Sequence, residues 1–208
     1  MYLSIIIILV LIIDYFFVKN RRISITEKKG MQGEKKVRNT LKRLPKDYIL
    51  INDLLLKYKN GTAQIDHVVI CSKGIFVIET KNYSGKIYGD DHTKYWTQKL
   101  NGRKNRFYSP IWQNRTHINA IKGILKEFYN VPIYSVVVFC GQCNIRNVKS
   151  NEGVVYVNKL NRYLKRYKNK FFIKKEEIRN IYYILNSNNI HSKKMREKHI
   201  KMIKKEYI

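Results

Sequence analysis

Two carboxylates and a lysine occur at spacings that would bring them together on one face of a sheet. The runs QIDHVVIC and IFVIETK both have the apolar, β-branched character of strands, and the three residues between them, ending at Gly74, predict a hairpin loop. In that hairpin Asp66 and Glu79 lie nearly opposite each other, with Cβ atoms within about 5 Å. Lys81, two residues after Glu79, projects from the same face.

Carboxylates this close repel each other, so the arrangement is costly unless a cation lies between them. Carboxylate oxygens are the ligands that Mg²⁺ and Mn²⁺ prefer. A metal held by Asp66 and Glu79 would activate a water and stabilise charge on a phosphate, while Lys81 would orient the nucleophile or neutralise the developing charge. The same three residues also fit an ordinary surface ion pair across a hairpin, and their spacing alone leaves that alternative open.

A helix before the hairpin brings a third carboxylate. It is predicted over 31–44, because Val37 and Leu41 belong to an apolar stripe at helical spacing. Glu34 falls on the same inward face, where a lone carboxylate is costly unless a cation or a metal meets it.

The remaining elements complete an α/β order. Residues 82–109 contain three glycines and predict loops and short strands. The other predicted elements are strands over 48–56, 133–140 and 154–157, a helix from Pro110 to about Phe128, and a helix over 176–185.

Several motifs in this order resemble the nuclease-related domain (NERD) family, a branch of the PD-(D/E)XK, restriction-endonuclease-like superfamily. The resemblance extends from Gly33 to about Leu125. The matching residues are Gly33-Glu34, Gln64-Ile65-Asp66-His67, Gly74-Ile75-Phe76-Val77-Ile78-Glu79-Thr80-Lys81, Asn82-Tyr83, Gly85, Trp96, Ser109-Pro110-Ile111-Trp112-Gln113-Asn114 and His117.

The resemblance implies a restriction-endonuclease-like three-layer core, in which a central mixed sheet is flanked by helices and the site lies at one sheet edge. It implies Asp66 and Glu79 as metal ligands, with the backbone carbonyl of Thr80 as a further ligand and Mg²⁺ or Mn²⁺ as the cofactor. Lys81 would be the catalytic lysine. Ile65 stands where proline gives the superfamily its "P", but Asp66 is present, so activity is still expected.

Helices supply the accessory residues that the resemblance implies. Glu34 would be an accessory acid from the first helix, and Gln113 would reach into the site from the second. His117, one turn after Gln113, and Asn114 are weaker candidates for substrate binding. His67 alternates to the face opposite Asp66 and is therefore expected to be structural.

The charge of the chain indicates a polyanionic partner. There are 42 Lys and Arg residues against 15 Asp and Glu, a formal net charge of +27, which would attract nucleic acid or anionic lipid. AT-rich coding DNA also produces such a composition, so charge alone names no function. The three cysteines imply no disulfide framework, and Cys140 and Cys143 are expected to be small apolar residues near a strand end.

Residues 2–18 form an uninterrupted apolar run apart from Asp14 and would span about 25 Å as a helix. Lys19, Arg21 and Arg22 follow at once, which places the body of the chain in the cytoplasm by the positive-inside rule. The run lacks the basic start and small-residue cleavage site of a signal peptide. The predicted organisation is a transmembrane anchor over 2–18, a basic linker over 19–30, a nuclease-like domain over 31–140 and a basic, partly helical extension over 141–208.

The leading hypothesis is therefore a single-pass membrane protein with a cytoplasmic, metal-dependent nuclease domain that acts on nucleic acid. DNA is the leading candidate for its substrate. One alternative is a binding protein that holds nucleic acid or a partner at the membrane without turnover. Another is a structural protein whose basic tail binds anionic lipid. The last alternative leaves the converging carboxylates unexplained.

Overall fold

The computed structural model describes residues 25–128 and 130–207, which form nine strands and five α-helices. The predicted anchor over 2–18 lies outside the described residues. None of the helices within the described ranges has the length and apolar character needed to cross a bilayer. The strands are β1 Ile49–Tyr58, β2 Gly61–Cys71, β3 Gly74–Lys81, β4 Gly85–Asp90, β5 Tyr95–Leu100, β6 Arg103–Tyr108, β7 Ile133–Phe139, β8 Cys143–Lys149 and β9 Gly153–Tyr156; the helices are α1 25–41, α2 Pro110–Ile124, α3 Leu160–Arg166, α4 Lys175–Ser187 and α5 Lys193–Tyr207.

The first sheet has five strands in the order β1-β2-β3-β7-β9. β1, β2 and β3 are antiparallel neighbours, whereas β3, β7 and β9 run parallel. Residues of α2 and α4 join the apolar core on one face, and residues of α1 and α3 join the core on the other. This mixed α/β arrangement fits the predicted restriction-endonuclease-like core.

β3 lies at the centre of this sheet, and its sequence explains why. Its first five residues are apolar and all buried, so it reads as a continuous apolar run with core on both faces. Only at its carboxyl end do polar side chains appear, at Glu79, Thr80 and Lys81. The core therefore ends where the candidate chemistry begins.

The hairpin between β2 and β3 is one residue tighter than predicted. Cys71 pairs with Gly74, so the loop has two residues rather than three. Gly74 has φ 138°, a conformation that favours glycine. The pairing of His67 with Ile78 continues to place Asp66 in line with Glu79.

The first helix differs from its predicted bounds at both ends. It already includes residues 25–30, which the sequence analysis assigned to a linker, and it ends at residue 41 instead of 44. After its end, the N–H of Leu44 donates to the carbonyl of Leu41 at 2.9 Å in a tighter turn. Pro45 prevents the helix from resuming after this turn, because the residue before a proline is disfavoured in the α conformation.

A second sheet has the order β6-β5-β4-β8. β4, β5 and β6 come from the region predicted as loops and short strands, whereas β8 comes from the predicted basic extension. The inner face of this sheet packs on the first sheet and on the start of α2 through a third apolar core. Trp96 is fully buried there. The central buried members are Ile87, Trp96, Ile111, Val137 and Phe139.

The segment after residue 140 is part of both sheets. β8 pairs with β4, and β9 pairs with β7. From α5, Arg196 forms an ion pair with Asp53 on β1, with 2.7 Å between the guanidinium and carboxylate atoms. Removal of this segment would therefore expose edges of both sheets.

Gly89→Ala is expected to destabilise the second sheet. A Cβ at this position would lie 2.2 Å from Cδ2 of Trp96, so the buried indole would have to shift. Such overpacking costs about 1–3 kcal/mol of unfolding free energy. Gly123→Ala is the matched control, since its Cβ would meet nothing within 4 Å in α2, and helix propensity predicts a gain of about 0.5–1 kcal/mol. Urea unfolding of both variants measures the difference; equal stability would contradict the packing at Trp96.

Candidate active site

The polar end of β3 meets residues from three other elements. β2 supplies Asp66, which lies in line with Glu79 across the antiparallel pair. α1 supplies Glu34, and α2 supplies Gln113 and His117. The apolar faces of the two helices pack on the sheet and thereby hold these polar side chains at its edge.

Lys81 is held between a carboxylate and an amide. Its Nζ lies 2.6 Å from Oε1 of Glu79 and donates to Oε1 of Gln113 at 3.0 Å. Burial alone would lower the pKa of Lys81, but the Glu79 carboxylate raises it above its ordinary value. The lysine is therefore charged at neutral pH, and its position is set by β3 and α2 together.

Asp66 accepts a hydrogen bond from the backbone N–H of Thr80, with 2.7 Å between Oδ2 and N. Burial, and after it the charge of Glu79, raises the pKa of Asp66 to about 8, although the Thr80 bond and Lys81 oppose the shift. Burial, then Asp66 and Asp53, raises the pKa of Glu34 to about 7. Each of the three carboxyls disfavours ionisation of a neighbour: Glu79 raises the pKa of Asp66, Asp66 that of Glu34, and Glu34 that of Glu79.

Glu79 is the most enclosed member of the group. It is only 2% exposed, and burial raises its pKa while Lys81 lowers it. Its Oε2 has no hydrogen-bond partner among the described residues. His117 Nδ1 lies 3.6 Å away, but burial and the nearby Lys81 lower the pKa of His117 to about 3, so this histidine is neutral at pH 7.

The group has the chemistry of a divalent-cation site. Its oxygens are hard ligands, its carboxyl pKa values are raised, and one buried oxygen of Glu79 accepts no bond. Within the described ranges no cluster of three or more His, Cys, Asp or Glu side chains could hold a metal. Mg²⁺, however, is usually held by one or two carboxylates with waters completing the shell, so the residues present fit such an ion.

Comparison with known proteins places this arrangement in a family. The profile of the nuclease-related domain matches residues 29–140, which include every residue of the group. The chain belongs to the nuclease-related domain family. An uncharacterized protein of Bacillus anthracis is 36% identical over 180 residues, which cover 84% of each chain. No solved structure shows a significant match.

The nuclease-related domain breaks its β1–β2 ladder at Asp66. Pairing runs through Asn52–His67 and then resumes at Leu54–Ile65, so that Asp66 is skipped. The skipped residue on β1 is Asp53, with φ 54°. At this unpaired position the Asp66 carboxylate accepts instead from the Thr80 N–H of β3.

Asp53 is a residue whose importance the sequence did not reveal. Its Oδ1 accepts from Nε2 of Gln64 at 2.8 Å, and its backbone carbonyl accepts from Arg196 at 3.1 Å. These contacts fix the strand break from both β2 and α5. Asp53 also contributes to the raised pKa of Glu34, so it belongs to the electrostatic surroundings of the site.

Two histidines of the nuclease-related domain are enclosed side chains. His67 is fully buried and its Nδ1 lies 2.8 Å from Oδ1 of Asn52. Burial lowers the pKa of His67 to about 4, so it is neutral at pH 7, in keeping with its predicted structural role. His117 is 5% exposed beside Glu79, where it contacts the carboxylate group and is not open to a large substrate.

Asn114 does not join the group. It is fully buried, and its Nδ2 donates to the carbonyl of Val77 at 3.0 Å and to Oγ of Ser135 at 3.1 Å. It therefore ties α2 to β3 and β7 beneath the site. This position corrects the sequence-based assignment of Asn114 to substrate binding. Asn114 is one residue after Gln113 on α2, and its side chain points toward the sheet and not toward the site.

Asn114→Leu is expected to lower the unfolding free energy by about 1–3 kcal/mol, because it leaves buried acceptors on β3 and β7 without a donor. Asn119→Leu, at an exposed position on the same helix, is expected to change stability by less than about 0.5 kcal/mol. Thermal unfolding compares the two. Equal transitions would show that the Asn114 amide does not hold α2 on the sheet.

Proposed function

We propose that this protein is a divalent-metal-dependent nuclease that hydrolyses phosphodiester bonds of nucleic acid, with DNA as its substrate. The observation that carries the proposal is the meeting of Asp66, Glu79 and Lys81 at the end of β3 within a nuclease-related domain. An ordinary surface ion pair does not explain a Glu79 that is 2% exposed and surrounded by further carboxyls.

The residues present assign the parts of the reaction. Asp66 and Glu79 would hold Mg²⁺ or Mn²⁺, with the Thr80 backbone carbonyl as a further ligand. When bound, the ion would neutralise charge on the phosphate and lower the pKa of a water molecule. Attack by the water oxygen would form a new bond to phosphorus and break the ester P–O bond, while the attacking water loses a proton to solvent and the leaving oxygen takes one up from solvent.

The charged lysine supports that displacement. Lys81 stabilises the negative charge that develops on the phosphate, since its raised pKa keeps it protonated. Gln113 holds the Lys81 ammonium in place through its 3.0 Å bond. Glu34, with a pKa of about 7, can hold or release a proton beside Asp66 near neutral pH, which is the property required of an accessory acid.

The proposed cellular setting is the cytoplasmic face of a membrane. It rests on the apolar run over 2–18 and on the basic residues that follow it. The net charge of +27 supports nucleic acid as the partner and also permits contact with anionic lipid. Alkaline extraction of membranes tests the anchor: the full chain should stay with the membrane, and a chain starting at Lys19 should not.

The test of the proposed activity is cleavage of plasmid and linear DNA by the purified protein with Mg²⁺ or Mn²⁺. Cleavage should stop in EDTA and in the Asp66→Asn variant, which keeps the side-chain shape but removes the charge. Asp47→Asn, at an exposed position, is the matched control and should cleave normally. Metal-dependent cleavage that survives Asp66→Asn would rule out this site. Salt-sensitive binding without any cleavage would favour the binding-protein alternative.

A further inference from the structure

The second sheet exposes a row of three lysines. Lys86 on β4 pairs directly with Lys99 on β5, and Lys99 pairs with Lys104 on β6. All three side chains are exposed. Residues directly opposite on one face have Cβ atoms about 4.5–5.5 Å apart, so this row of like charges destabilises the sheet unless an anion meets it.

Tyrosines and a further cation continue the same face. Tyr88 is covered by Lys99, whose Nζ lies 4.8 Å from the ring centroid. Tyr95 is 42% exposed, and the guanidinium of Arg106 lies 5.0 Å from its ring centroid. Cations and aromatic rings therefore alternate across the sheet. We use "outer face" for Lys86, Tyr88, Tyr95, Lys99, Lys104 and Arg106.

The described part of the chain forms no ion pair with this row. None of the ion pairs formed within the described ranges includes Lys86, Lys99 or Lys104. Asp90, at the far end of β4, already accepts from the N–H groups of His92 at 2.8 Å and Thr93 at 2.9 Å. The outer face thus has the charge complementarity of a surface for a polyanion.

We infer that the outer face binds single-stranded nucleic acid, with the lysine row on consecutive phosphates and the tyrosine rings against unpaired bases. A flat sheet with exposed aromatic side chains suits bases whose faces are free, whereas a duplex hides those faces. The inference rests on the proposed function, for which it names the form of the substrate.

The location of the row supports this role. Lys86 follows Lys81 by five residues, so their Cα atoms are at most about 18 Å apart. Nε2 of Gln98 on β5 donates to the carbonyl of Ser84 at 2.7 Å, which fixes the sheet to the segment leaving β3. A strand held on the lysine row would therefore lie within a few nucleotides of the candidate active site.

The experiment measures fluorescence anisotropy of a labelled single strand of about 20 nucleotides, bound by the full chain in EDTA so that nothing is cleaved. Salt is varied between about 50 and 200 mM. The outer-face triple variant is compared with a triple variant that removes as many exposed charges from the last turn of α3 and the segment that follows it. The substitutions are Lys86→Gln, Lys99→Gln and Lys104→Gln in the first, and Lys165→Gln, Lys168→Gln and Lys170→Gln in the second.

The outer-face variant should lose about 2 from the slope of log affinity against log salt, since each contacted phosphate of a single strand contributes about 0.7. The control variant should keep the wild-type slope. Thermal unfolding checks the fold, and the outer-face variant should unfold no lower than wild type because it loses like-charge repulsion. A wild-type slope in the outer-face variant, or an equal loss in the control, would overturn the inference.

Two single tyrosine substitutions test whether bases stack on the outer face. Tyr95→Ala should weaken single-strand binding roughly tenfold and leave binding of a duplex of the same length nearly unchanged. Tyr183→Ala is the control, because Tyr183 on α4 is 66% exposed and lies outside the outer face. No loss in Tyr95→Ala, or an equal loss on duplex, would overturn the single-strand assignment.

Two further readouts separate this inference from its alternatives. If the outer-face variant loses binding to phosphatidylserine vesicles but keeps oligonucleotide binding, the surface is for lipid and the inference is overturned. If wild type binds through the outer face but never cleaves with Mg²⁺, the nuclease proposal fails and the binding surface stands. If wild type cleaves with Mg²⁺ but the outer-face variant binds the oligonucleotide as wild type does, the nuclease proposal stands and the inference about the outer face is overturned.

Discussion

Lys81→Met should reduce the single-turnover rate of metal-dependent DNA cleavage by about 10²–10³-fold, the usual effect of removing one group that stabilises transition-state charge. Methionine keeps an unbranched apolar stem but cannot contact Glu79 at 2.6 Å or Gln113 at 3.0 Å as the ammonium does. Binding of DNA in EDTA should change little, because one partly buried cation among many contributes little to total affinity. Gel analysis of end-labelled DNA at saturating Mg²⁺ measures the rate.

The same substitution threatens the fold, and this effect needs its own control. Removing one partner of a buried ion pair costs about 3–5 kcal/mol, because the remaining charge has no counter-ion. The double variant Lys81→Met with Glu79→Gln removes both charges and should recover most of the stability without recovering cleavage. Lys122→Met, at an exposed position of α2, should retain both. Near-wild-type cleavage by Lys81→Met would remove the lysine from the proposed mechanism.

The meeting of the candidate residues was predictable because local rules determine it. A continuous apolar run identified β3, and strand alternation placed Glu79 and Lys81 on one face. The hairpin then brought Asp66 alongside, and an error of one residue in loop length still left the two carboxylates close. The raised pKa values of the carboxyls follow from burial under the helices. The apolar stripes of α1 and α2 also indicated that these helices cover the sheet.

The second sheet was not predictable by the same rules. β6 reads RKNRFY and has exposed residues at its first four positions, so it lacks the alternating apolar pattern of a half-buried strand. The apolar core on the inner face of the second sheet is formed by a few large side chains, chiefly Trp96 on β5 and Phe107 on β6. The glycines of this region indicated loops, and Gly102 does lie in the turn between β5 and β6, with φ 75°. Gly85, however, begins β4 with φ 83°.

Long-range contacts also escaped the sequence. The bond between Arg196 and the Asp53 carbonyl joins residues 143 positions apart, and no local pattern marks either partner. The ladder break at Asp66 likewise depends on the pairing of β1 with β2. Sequence patterns predicted which candidate residues would meet at the end of β3, whereas the contacts that orient them arise only when distant elements pack together.

The absence or presence of Mg²⁺ should reverse the pH dependence of stability. In EDTA, Asp66 and Glu34 have folded pKa values of about 8 and about 7, both above their ordinary values of 3.8 and 4.5. Between the ordinary and the raised values the folded protein binds more protons than the unfolded chain. The stability from these groups is therefore fully present at acid pH and is lost as pH rises toward 8.

This loss has a slope of up to about 1.4 kcal/mol per pH unit for each carboxyl that stays protonated only in the folded state. His67 acts in the opposite sense, because its folded pKa of about 4 lies below its ordinary 6.5 and stability falls as pH decreases through that interval. The measurement is therefore a difference curve between wild type and Asp66→Asn, from urea unfolding at several pH values. In EDTA the unfolding free energy of wild type minus that of Asp66→Asn should decrease as the pH rises from about 5 to about 8.

Mg²⁺ should change the sign of that difference, because it binds the ionised carboxylates of the folded protein only. Occupancy at about 100 times the dissociation constant adds about 2.7 kcal/mol to the unfolding free energy. The gain should grow with pH, since binding must displace the proton of Asp66, whose folded pKa is about 8, and it should vanish in Asp66→Asn but persist in Asp47→Asn. A Mg²⁺ effect that is independent of pH and of Asp66 would place the ion elsewhere, and the raised carboxyl pKa values would then reflect burial without a metal.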